Sequence, residues 1–140
     1  MRQVIYGLFC LSLVAFAYGH SAVLKKAAAG DLKSLNEAFS LYSKSDGGDA
    51  EDIEIAIGKS IAVNPKNFLI ALKKNRALVK SLGGMVGNLG EDFVDQPAKQ
   101  QAEKEKRVSA LHKVADASLV GLRDECVSEL KKQISAFREQ

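Results

Sequence analysis

The chain has 140 residues, 46% of them hydrophobic and 26% charged, with a formal net charge of +3. That length allows one domain with a sizeable core and leaves no room for a second, and the composition excludes a disordered or collagen-like chain. Aromatic residues are only 6%, Trp is absent and the two prolines are Pro65 and Pro97, a balance that favours helices over sheet.

Residues 1–19 carry Arg2, an apolar run from Val4 to Ala17, and the small residues Ala17 and Gly19 on either side of Tyr18. This is the order of a secretory signal, and the run is shorter than the roughly 20 residues a membrane-spanning helix needs. We expect cleavage after Gly19, export to the periplasm or the medium, and a single all-helical domain over 20–140 with no stable membrane insertion. Cleavage removes Arg2 and no acid, lowering the net charge to +2; with Lys interleaved among Asp and Glu, no basic stripe for nucleic acid remains. Cys10 goes with the leader, so Cys126 is left as the only thiol and no intrachain disulfide is available.

Leu24, Ala28, Leu32, Leu35, Phe39 and Tyr42 step by three or four along a helical face that Gly30-Asp31 interrupts. Gly30 is placed to end one helix and Asp31 to cap the next. The segment Ser45-Asp46-Gly47-Gly48 reads as a loop, with Asp49 capping a helix that carries Ile53, Ile57 and Ile61. Asn64-Pro65 is a cap followed by proline at the first helical position, and it opens a helix with Phe68, Leu69 and Leu72. The apolar stripe lapses at Asn75-Arg76, which predicts a turn. Residues 83–97 hold Gly83, Gly84, Gly87 and Gly90 and close at Pro97, the marks of a loop or a short broken helix. A polar helix over 98–107 is expected to be exposed around much of its circumference, with Glu103-Lys104-Glu105-Lys106-Arg107 as a solvated face. Leu111, Ala115, Leu119, Leu122, Cys126, Leu130, Ile134 and Phe137 then keep helical spacing, with Asp116 as a cap between two consecutive helices.

The predicted fold is thus all-α, five to seven helices packed as antiparallel hairpins, without β-sheet. Gly30-Asp31, Asn64-Pro65 and Asp116-Ala117 each join apolar helical stretches with almost no linker. The stretches 57–74 and 111–131 share the plan helix, cap, helix, and resemble the helical-hairpin units of HEAT or armadillo repeats. That resemblance implies a short array that binds a protein or peptide on one surface, and it transfers no functional residue.

Chemistry-bearing residues are few. Cys126 shares a stripe with Leu122 and Leu130, which suits a buried small hydrophobe, and His112 lies one turn before Asp116, a spacing that suits a structural contact. One Cys and the two histidines His20 and His112 fall short of a zinc site. Asp46, Asp49, Glu51 and Asp52 surround a Gly-Gly turn but lack the register of a calcium loop. Gly83 to Gly90 has no Gly-Lys-Ser/Thr ending and follows a helix rather than a strand. No catalytic residue, metal or cofactor is therefore expected. Met85 to Asp95 mixes apolar side chains, flexible backbone and acids, and Leu89, Glu91, Asp92, Phe93 and Asp95 are the expected contacts with a protein partner. The functional expectation is a non-enzymatic exported helical protein that occludes a partner's site, as an inhibitor or toxin-immunity protein would. Two alternatives stay open: a small hydrolase using His112, Cys126 or carboxylates, and a homo-oligomer in which Cys126 bridges two chains.

Overall fold

The computed structural model describes residues 20–138, and the leader predicted over 1–19 lies outside them. Helices α1 (residues 20–28), α2 (Leu32–Tyr42), α3 (Gly47–Val63), α4 (Pro65–Asn75), α5 (Leu82–Gly87), α6 (Pro97–His112) and α7 (Val120–Arg138) account for most of the chain. Single 3₁₀ turns at Arg76–Leu78 and Glu91–Phe93 interrupt them, and the described residues contain no strand.

The junctions follow from local backbone chemistry. Gly30 takes φ +81°, and the amides of Gly30 and Asp31 donate to the carbonyls of Ala27 and Lys26. That left-handed residue satisfies the end of α1 and reverses the chain. Asp31 then accepts from the Ser34 amide at 2.8 Å and caps α2, as the sequence predicts. Asn64 ends α3 and starts α4, accepting from the Asn67 amide at 3.1 Å ahead of Pro65.

Asp49 is a correction. Helix α3 begins two residues earlier, at Gly47, whose φ of +53° turns the chain into the helix, and Asp46 occupies the cap position without a side-chain bond. Asp49 instead lies in the first turn, where a carboxylate favours the positive end of the helix. The junction at Asp116 is also longer than predicted. Asp116 accepts from the Ser118 amide and hydroxyl, at 3.1 and 2.8 Å, which forms a turn, and α7 starts only at Val120.

Three helix-to-helix turns lie together at one end of the molecule. Asn67 Nδ2 donates to Gly30 O at 2.9 Å, Lys66 pairs with Asp116 at 3.5 Å, and Lys73 Nζ donates to Ser118 O at 2.9 Å. Helix α2 packs on α3 and α4, α3 on α5 and α6, and α7 on α5 and α6. Phe39, Phe68, Leu35, Ile57, Ile61, Leu72, Met85, Leu111 and Leu130 are completely buried among these contacts. Short α5 is the wedge: it fills the space between α3 and α7, and its burial of Met85 and Val86 ties the two together.

The glycines of α5 are contact residues. An added Cβ at Gly87 would overlap the Gln133 carboxamide of α7, and one at Gly83 would lie 3.0 Å from Glu129 Oε2. Gln133 Nε2 enters this gap and donates to Gly83 O at 2.8 Å.

Candidate functional site: a clamped acidic corner

The charge run of α6 is not a solvated face throughout. Arg107 is only 2% exposed and Lys104 only 6%. Burial is expensive for a guanidinium unless its donors find acceptors, and Arg107 Nη1 finds two: the carbonyls of Val86 and Asn88, the latter at 3.1 Å. Those carbonyls lie at the C-terminal end of α5, which a cation complements electrostatically. Burial pulls Arg107 down to about 10, opposed by the charge of Glu103, so it remains charged at neutral pH. Lys104 is lowered by burial and then by the neighbouring Arg107.

Gly58 makes room for this clamp. A Cβ there would meet Arg107 Nη1 at 2.9 Å and Met85 O at 3.1 Å. Asn88 is held from four directions. Its amide donates to Gly84 O, its carbonyl accepts from Arg107, its Oδ1 accepts from the Gly90 amide at 2.9 Å, and its Nδ2 donates to Glu54 Oε2 at 3.3 Å. The other oxygen of Glu54 accepts from the Tyr42 hydroxyl at 2.8 Å.

Beyond Asn88 the chain turns at Gly90, φ +69°, into the 3₁₀ turn Glu91–Phe93. Gln100 Nε2 fixes the far side by donating to Phe93 O at 2.7 Å. The corner so displayed presents Glu91 and Asp95, both exposed, around Val94, which is 62% exposed. Phe93 is half-buried, and the side chain of Asp92 lies outside those described. Leu89, expected as a surface contact, is buried at 8% exposure.

The two candidate catalytic groups differ in exposure. Cys126 is fully buried, and burial followed by the charge of Glu125 pushes its thiol up to about 12, the opposite of an activated thiolate. A buried sulfur is equally unsuited to bridging two chains. His112 is exposed and lines an open groove of about 770 Å³ with Asp124 and Ser128. Asp124 bonds Arg123 at 2.8 Å, and no hydrogen bond described joins His112 to Ser128. Among the described residues no group of three or more His, Cys, Asp or Glu side chains is placed to hold a metal ion, and no helix is long and apolar enough to cross a membrane.

One signal was available in the sequence and is easily passed over. Residues 45–58 hold five acids and no Lys or Arg, and residues 81–98 hold three acids and no Lys or Arg, in a chain of net charge +3. The fold joins these segments: Ile55 of α3 lies against Gly90, where an added Cβ would be 3.0 Å from Ile55 Cδ1. No family model matches the chain, and neither a curated protein nor a solved structure matches it.

Proposed function

We propose that this is an exported, non-enzymatic helical protein that binds another protein through the corner formed by Glu91, Phe93, Val94 and Asp95, and acts by covering a site on that partner. The observation that carries the proposal is the clamp. An exposed valine between two acids is held by a buried arginine, an asparagine bonded from four directions and Gln100. A connector has no need of such support. A contact surface benefits from it, because loop ordering is then supplied by folding and does not count against binding. Val94 supplies apolar area, and Glu91 and Asp95 supply orientation and encounter rate. Export rests on the leader over 1–19, and the sequence plan of the stretches 57–74 and 111–131 resembles that of HEAT or armadillo units, whose surfaces serve protein binding.

The test is site-specific photo-crosslinking in the exporting cell. A crosslinker at position 94 should give one discrete heteromeric adduct that disappears when Glu91 and Asp95 are both changed to Lys, while a crosslinker at exposed Lys44 gives none. Absence of an adduct at 94, or one indifferent to the charge reversal, would count against the proposal. Mass analysis of the exported chain should show it to begin at His20.

A further inference from the structure

Of the five acids in residues 45–58, Asp46, Asp49, Glu51 and Asp52 are exposed, and Glu54 alone is drawn half into the fold. Both of its oxygens are engaged there. Oε1 accepts from the Tyr42 hydroxyl of α2 at 2.8 Å, and Oε2 accepts from Asn88 Nδ2, just beyond the end of α5, at 3.3 Å. Tyr42 is 4% exposed, so a packed ring aims the hydroxyl and steadies the carboxylate that receives it. Asn88 passes the constraint on, because its Oδ1 accepts from the Gly90 amide at 2.9 Å.

A carboxamide turned over keeps its shape, so which end carries the oxygen is decided by what faces each end. Turned over here, Oδ1 would oppose the Glu54 carboxylate and Nδ2 would oppose the Gly90 N–H, and both bonds would become repulsions. An ionised carboxylate only accepts. Glu54 therefore selects the one orientation in which Asn88 offers an acceptor to Gly90, the residue at φ +69° from which the chain enters the turn Glu91–Phe93. Arg107 has a separate part: it bonds the main-chain carbonyl of Asn88, whichever way that side chain faces.

We propose that Glu54, 34 residues before Asn88 in the chain, is a positioning residue of the contact corner: through the Asn88 carboxamide it sets the direction in which the chain leaves Gly90, and so how Glu91, Val94 and Asp95 are presented. The inference rests on the binding function proposed above and deepens it, since it names a residue that controls the contact without belonging to it.

The test is an exchange of charge at the two ends of the Glu54–Asn88 bond, made in the full chain. Asn88→Asp keeps the shape and the acceptor for Gly90 but sets a second carboxylate against Glu54. It should speed exchange of the Gly90 amide and lower the yield of the position-94 adduct, each by about fivefold or more. Glu54→Gln alone should change neither by more than about twofold, because its oxygen can face Asn88 while the Tyr42 hydroxyl turns to accept from its nitrogen. Added to Asn88→Asp, Glu54→Gln should restore both readings, since its nitrogen can then face the new carboxylate. Protection of the α4 amides shows that each variant folds. A bond that merely adds stability gives no rescue, so a double variant no better than Asn88→Asp overturns the proposal. So does Asn88→Asp without effect on Gly90, and so does recovered exchange without a recovered adduct. If the wild type gives no adduct, the binding function fails and the contact role with it, whereas the exchange cycle still reads whether Glu54 sets the turn.

Discussion

Tyr42 shows how a single buried polar group is tuned by its neighbours. It is 4% exposed, donates to Glu54, and lies with its ring 5.9 Å from Lys80 Nζ. Burial, followed by the bond to Glu54 and that carboxylate's charge, pushes the phenol from its ordinary 10.0 up to about 12. A raised value means that the folded state holds the proton more tightly than the unfolded chain does. The stabilisation is therefore complete below pH 10 and is lost as pH climbs towards 12. The other two tyrosines, Tyr6 and Tyr18, lie in the predicted leader, so phenolate absorbance of the exported protein should report one group titrating near pH 12. Tyr42→Phe should abolish that signal and flatten the alkaline loss of stability. Titration near pH 10 in the folded protein would contradict the buried Tyr42–Glu54 contact.

At the scale of elements, glycines divide by what stands opposite them. Gly58 faces Arg107 and a backbone carbonyl, whereas an added Cβ at Gly121 would meet nothing within 4 Å. Alanine is the better helix former by about 0.5–1 kcal/mol, so Gly121→Ala should raise stability by up to that amount. Gly58→Ala should instead lower it by about 1–3 kcal/mol, the usual cost of forcing atoms into a packed site. Urea unfolding of the two variants checks both signs, and a stabilised Gly58→Ala would show that Arg107 is free to move away. The same distinction explains what was legible beforehand. The junctions Gly30-Asp31 and Asn64-Pro65 are written in residues that act on their own backbone, and they were readable as caps. Helix α5 was legible only as a loop or short broken helix, because its glycines serve Gln133 of α7, roughly fifty residues on. Burial of Arg107 was hidden by its place in a run of charges, its acceptors Val86 and Asn88 lying on another element. The corner was legible as a segment from its acids and apolar residues. Burial of Leu89 and exposure of Val94 were not, because they depend on which way Gly90 turns the chain.

For the whole molecule, the arrangement amounts to a helical scaffold that holds one acidic face in fixed form. Helices α3, α5 and α6 converge on Arg107 and Asn88, so the corner at 91–95 is braced by the core and does not hang from it. Its order should consequently depend on one side chain. Native-state hydrogen exchange of the Gly90, Val94 and Gln96 amides, which donate to Asn88 Oδ1, Glu91 O and Phe93 O, measures this directly. In the wild-type protein these amides should open only in cooperative unfolding that includes α5. In Arg107→Met, which keeps apolar bulk but leaves two carbonyls without their donor at a cost of about 1–3 kcal/mol each, they should exchange much faster while the amides of α2 and α4 stay protected. Fast, independent exchange of Gly90 and Val94 in the wild type, or no difference in Arg107→Met, would contradict the bracing of the corner by Arg107.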